Sequence, residues 1–186
     1  MTGPYRTAEV RWFERGPLPE AVRAWFDRLG DAVEAEARTD RYLAPASDGL
    51  GVKVREGKVE AKRRDARLDE VRAGRAAGTA EAWTKWSFPL ADDEAAPEAG
   101  WVEVRKRRRQ RWWRTDGGAC ALEVSEVEAG GEAWWSVCLE ATGPTAQGRL
   151  GALTEAADRW LTTDSAPALG TEAARGYPAW LMEVGA

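Results

Sequence analysis

No histidine occurs anywhere in this chain, and cysteine occurs only twice. Without histidine there is no Ser-His-Asp triad, no Cys-His nucleophile pair, no HExxH helix and no ordinary zinc site. Cys120 and Cys138 stand in different strand patterns with no metal-ligand spacing. Any metal must then be held by carboxylates and water, which favours Mg²⁺, Mn²⁺ or Ca²⁺. No run approaches the roughly 18 apolar residues of a membrane-spanning helix, and no charged-then-apolar leader opens the chain. Those two absences point to a cytoplasmic protein with no membrane partner. A surplus of positive charge is also missing. The net charge is −4, which argues against a generally basic nucleic-acid binder.

What remains is a globular composition, 44% hydrophobic and 31% charged over 186 residues, enough for one domain with its own core. With no linker and no repeat of solenoid length, residues 1–186 read as a single domain. The eleven tryptophans fall in or beside the strand and helix patterns and read as core and rim aromatics.

The most informative stretch runs from Arg38 to Arg64. Val52 and Val54 alternate with Lys53 and Arg55. After a turn at Glu56-Gly57-Lys58, Val59, Ala61 and Arg63 alternate with Glu60, Lys62 and Arg64. A period of two sends successive side chains to opposite faces, so Lys53, Arg55, Glu60, Lys62 and Arg64 share one face. The same mixed-charge patterning recurs at Glu9 to Phe13, Ala80 to Leu90, Trp101 to Arg114, Ala119 to Val127 and Ala133 to Ala141. Strands of this kind, met in sequence with short turns, predict an antiparallel meander, and if the sheet closes its charged faces line an interior.

Two helices are expected. Pro17 to Leu29 opens with prolines, repeats apolar residues at helical spacing and stops at Gly30. Thr145 to Leu161 has Leu150, Leu153, Ala157, Trp160 and Leu161 on one side. Asp65 to Gly78 is ambiguous between a short helix and a polar loop. Ala91 to Gly100 reads as an acidic loop, and Ser165 to Gly176 as a loop leading to a packing segment at Tyr177 to Leu181. The predicted class is α+β, an antiparallel β-barrel or strongly curved sheet with flanking helices.

The order of Glu9-Val10-Arg11-Trp12-Phe13, a helix, Asp40-Arg41-Tyr42-Leu43, Lys53-Val54-Arg55 and Glu60-Ala61-Lys62 resembles the CYTH domain of the triphosphate tunnel enzymes. Weaker later matches are the basic strand around Arg105 to Arg109, Leu122-Glu123-Val124 and Leu139-Glu140. The resemblance covers about residues 8 to 142. It implies a barrel whose cations hold a triphosphate and whose carboxylates hold Mg²⁺ or Mn²⁺. Arg11, Lys53, Arg55, Lys62, Arg105, Arg107 and Arg109 would then bind the phosphorylated ligand. Glu9, Glu60, Glu123 and Glu140 would be metal ligands, with Glu9 and Glu140 also the catalytic acids or bases. Where the family has E-x-E-x-K, this chain has Glu9-x-Arg11-x-Phe13, and the later E-x-E is Cys138-Leu139-Glu140. A cation replaces one expected acid, so the implied metal is weakly bound and the implied metal-dependent phosphohydrolase slow. Two alternatives stand beside it. One is a non-catalytic polyanion-binding module of the same fold. The other is a nucleic-acid binder using segment 105–114, with Trp112 and Trp113 available to stack on bases.

Overall fold

The period-two segments do form strands, and the strands close on themselves. A computed structural model describes residues 4–31, 33–90 and 100–185; of the expected acidic loop, residues 91–99 lie outside them. Eight strands appear in chain order: β1 (Tyr5–Arg15), β2 (Glu36–Leu43), β3 (Leu50–Arg55), β4 (Lys58–Ala73), β5 (Ala76–Pro89), β6 (Trp101–Thr115), β7 (Gly118–Ala129) and β8 (Glu132–Thr142). They build a closed antiparallel barrel in the order β1-β5-β4-β3-β2-β6-β7-β8, with β8 pairing back onto β1. Three helices flank it: α1 (Glu20–Arg28), α2 (Ala146–Leu161) and α3 (Tyr177–Val184). The expected α+β barrel with flanking helices is therefore present. Among the described residues no helix is long and apolar enough to cross a membrane.

The hairpin from Lys53 to Lys62 turns at Glu56-Gly57, where both residues have positive φ (49° and 68°). That conformation matches the twist of paired strands and suits glycine at the second position. The ambiguous stretch from Asp65 to Gly78 is neither helix nor loop: β4 runs on to Ala73, and a turn at Gly74 leads straight into β5. Register shifts between Arg64 and Ala66 and between Arg67 and Glu70 break the period-two pattern there. A bulged strand shows no clean alternation, which is why sequence periodicity missed it.

The main apolar core lies outside the barrel wall. Ala8, Val10 and Trp12 of β1, Cys120, Leu122 and Val124 of β7, and Trp135, Val137 and Leu139 of β8 face outward. They pack against Val22, Trp25 and Phe26 of α1 and Leu153, Ala157, Trp160 and Leu161 of α2. Thr145 caps α2 by accepting a hydrogen bond from the Gly148 N–H. The Trp25 indole N–H donates to the Trp160 carbonyl (3.3 Å) and to the Thr163 hydroxyl (3.2 Å), which ties the two helices together.

A second cluster closes one end of the barrel. Trp180 of α3 stacks on Phe13 (4.5 Å between centroids), while Tyr177 stacks on Tyr42 (5.4 Å) and meets Phe13 edge-on (5.0 Å). The C-terminal packing segment is thus a helix that plugs the barrel. With apolar layers outside and at one end, the inner wall is left for polar side chains.

Candidate functional site

The barrel interior is a cavity of about 570 Å³. Its inner wall takes the odd residues of β1, β3, β5 and β7 and the even residues of β2, β4, β6 and β8. Eight cations line it: Arg11, Arg38, Lys53, Arg55, Lys62, Lys85, Lys106 and Arg108. Four carboxylates do so as well: Glu9, Glu60, Glu123 and Glu140.

Its floor is built on Asp40, which is completely buried. The carboxylate lies 3.1 Å from the Lys106 ammonium, 3.3 Å from Lys53 and 3.6 Å from the Arg38 guanidinium. Burial alone would raise this carboxyl, but Lys106, Lys53 and Arg38 overcome it and hold it at about 2. Lys106 is itself buried, donates to the Tyr42 hydroxyl (2.8 Å) and stands 3.8 Å from the Tyr177 ring centroid. Burial pulls its pKa well below the ordinary lysine value, with Asp40 opposing.

Arg11 is the second buried anchor. It donates to Glu123 (2.8 Å) and to the Ser136 hydroxyl (3.2 Å), and its guanidinium lies 4.8 Å from the Tyr177 ring. Glu123 also accepts from Ser125, Gln110 and Arg108. Burial would raise the Glu123 carboxyl, yet Arg11 and the other cations drive it far below its ordinary value. Nearer the open end, Glu60 is shared by Lys53 (3.1 Å), Lys85 (3.5 Å) and Arg55 (3.8 Å). These cations outweigh its burial and bring it to about 2. Lys62 donates to Glu9 at 2.5 Å. Burial would lower the Lys62 ammonium, but Glu9 and Glu140 together raise it.

Of the residues singled out from the sequence, Glu9, Arg11, Lys53, Arg55, Glu60, Lys62, Glu123 and Glu140 share this cavity. Arg105, Arg107 and Arg109 do not. They project outward, Arg105 onto Glu103 and Glu128, Arg107 toward Glu126, and Arg109 onto Asp27. The inner face of β6 instead presents Lys106, Arg108, Gln110 and Trp112. Because β6 is basic on both faces, composition does not say which face turns inward. The usable signal is Val104, which is fully buried beside Tyr42 and Phe13 at the plugged end; Lys106 and Arg108 follow it on the same face. Arg38, Lys85 and Tyr177 also join the cavity without a sequence motif to mark them. Segment 105–114 is dispersed as well: Arg111 leaves the cavity to donate to the Phe26 and Gly30 carbonyls at the end of α1.

The acids do not present themselves as a divalent-metal site. Glu9 is engaged by Lys62, Glu60 by three cations, and Glu123 by Arg11 and Arg108. Glu140 pairs with Glu9 across the β1–β8 ladder and has no direct ion-pair or hydrogen-bond partner among the described residues. One free carboxylate beside one already neutralised leaves few acidic oxygens, so Mg²⁺ or Mn²⁺ would draw the rest of its shell from water or a bound phosphate. No group of three or more metal-ligating side chains occurs among the described residues. No chemical step is assigned to either ion.

No protein-family model matches this chain, and no curated protein matches it.

Proposed function

We propose that the cavity binds a phosphorylated small molecule, with tripolyphosphate-like chains as the chemical class, and that the chain is a divergent member of the triphosphate tunnel superfamily. One observation carries the reading: a protein of net charge −4 gathers eight cations against four carboxylates inside one cavity. Even with Asp40 counted at the floor, positive charge is in excess. The excess is clearest at Arg55 and Lys85, which share Glu60 with Lys53, while Lys62 is matched by Glu9 and Arg108 is bonded to both Glu36 and Glu123.

Phosphate oxygens fit this surplus. Lys62 and Lys85 act as point charges, and Arg55 and Arg108 offer fork-shaped donors for two oxygens at once. The hydroxyls of Thr7 and Tyr177 and the Arg11 Nε are buried in cavity-lining residues with no hydrogen-bond partner among the described residues. Because α3 closes one end, the ligand enters and leaves by the same mouth.

Hydrolysis is a second reading, favoured by Glu140 alone. Among the described residues it is the one inner carboxylate without a cation in direct contact, and so the one placed to draw a proton from an attacking water. Release of phosphate from tripolyphosphate, lost in Glu140→Gln while binding persists, would support it.

The test of binding is thermal melting with tripolyphosphate in the presence of EDTA, against sulfate at equal ionic strength. A ligand at 100 times its Kd adds about 2.7 kcal/mol. For a domain of this size that raises Tm by roughly 5–10 °C. Arg55→Ala and Lys85→Ala, both at partly exposed positions, should shrink the shift. No shift at millimolar ligand, or an undiminished shift in both variants, would reject the reading.

A further inference from the structure

A second pocket lies on the outside of the barrel, between α1 and the outward faces of β6 and β7, and shares no lining residue with the inner cavity. It holds about 170 Å³. That is roughly the liquid volume of six water molecules, room for a ligand of about six non-hydrogen atoms. A tripolyphosphate or a nucleotide is too large for it.

Two kinds of side chain meet there. Arg23 of α1 and Arg107 and Arg109 of β6 bring guanidinium groups to the pocket, against the carboxylate of Glu126 on β7. Arg23 donates to Glu126 (3.1 Å), and Arg109 is committed to Asp27 (2.5 Å), which stands outside the pocket lining. Arg107 differs from both. Among the described residues it makes no hydrogen bond, and its ion-pair neighbour Glu126 is 3.9 Å away and already bonded to Arg23. A fork of donors is thus left open at the pocket.

The remaining wall is apolar. Leu18 comes from the segment before α1, Val33 and Ala35 from the segment after it, and Val124 stands opposite Arg109 on the β6–β7 ladder. Leu18 and Val124 are buried, while Val33 and Ala35 are half-buried. A guanidinium fork matches the two oxygens of a carboxylate and is weakly hydrated, so it tolerates an apolar neighbour. Inorganic phosphate would turn some of its oxygens toward walls that offer no donor, at a desolvation cost. An acid with a short hydrocarbon tail meets each wall with the matching end.

We propose that this outer pocket binds a short aliphatic carboxylate of about four carbons. Its carboxylate rests on Arg107, with Arg23 offsetting the repulsion from Glu126, and its tail lies against Leu18, Val33, Ala35 and Val124. The site is separate from the barrel cavity and independent of what that cavity holds.

Amide-resolved NMR titration of the whole chain tests this, with butyrate, acetate and inorganic phosphate as the probes. Butyrate should give saturable shifts centred on Val33, Ala35 and Val124. Acetate and phosphate should bind at least about threefold more weakly, acetate because it lacks two methylene groups to bury. Arg107→Ala should weaken butyrate roughly threefold or more. Ala35→Leu keeps every charge but fills the recess, and should abolish the shifts. Neither position is fully buried, and an unchanged Tm checks that both variants fold. No saturable butyrate shift, or shifts confined to cavity residues such as Lys53 and Lys62, overturns the proposal. Phosphate or acetate binding as tightly as butyrate overturns it, and so does butyrate affinity unchanged in either folded variant.

Discussion

Replacing Asp40 by Asn should cost this protein much of its stability, because three cations depend on one completely buried carboxylate. Lys106 (3.1 Å), Lys53 (3.3 Å) and Arg38 (3.6 Å) converge on it. The Lys106 side chain is only 2% exposed and has no other acid within ion-pair distance among the described residues. Removing one partner of a buried pair typically costs about 3–5 kcal/mol, since the other charge is left uncompensated. For a domain of this length that corresponds to a fall in Tm of roughly 6–20 °C. The carboxyl is held at about 2 against an ordinary 3.8. A depressed carboxyl contributes stability above its unfolded pKa and loses it as pH falls toward its folded value. At 1.36 kcal/mol per pKa step that contribution is roughly 2–3 kcal/mol, lost between about pH 4 and pH 2. Chemical denaturation across pH 2–7 is the assay. Asp40→Asn should lower stability at pH 7 and flatten the acid limb. Adding Lys106→Met should recover part of the loss, because the stranded charge goes with it. A single variant melting within about 2 °C of the unaltered protein would refute the floor as described.

Other outcomes follow from the same structure. Arg111→Met removes two hydrogen bonds to the end of α1 and a contact 4.7 Å from the Phe26 ring. It should cost about 1–2 kcal/mol in urea denaturation and leave tripolyphosphate affinity unchanged. Trp180→Ala deletes the fully buried ring stacked on Phe13 and should cost about 3–5 kcal/mol, read as a lower denaturation midpoint.

The barrel was legible because its inner and outer faces differ in kind. Lys53-x-Arg55 and Glu60-x-Lys62 alternate with Val52, Val54, Val59 and Ala61, and the structure keeps that division. Glu9 and Arg11 alternate in the same way with Val10 and Trp12, which pack under the helices. Two places resisted. In β6 an almost unbroken basic run offers cations to both faces, so Lys106 and Arg108 could not be told from Arg105 and Arg107 by composition. In β4 the bulges erase the period over Asp65 to Glu70. The closed end was half visible: the aromatic Tyr177 to Leu181 segment reads as packing, but only the fold places Tyr177 over Arg11 and Lys106. Asp40 was marked only as the first residue of the Asp40-Arg41-Tyr42-Leu43 motif, with no role attached, since its importance comes from strands β3 and β6 meeting β2 around it.

A crystal structure grown with tripolyphosphate tests the central claim most directly, because it locates the anion. The account predicts density inside the barrel, with phosphate oxygens bonded to Lys62, Lys85, Arg55 or Arg108 above the Asp40 floor. Density confined to the outward-facing Arg105 and Arg107, or none inside the cavity at saturating ligand, would contradict it.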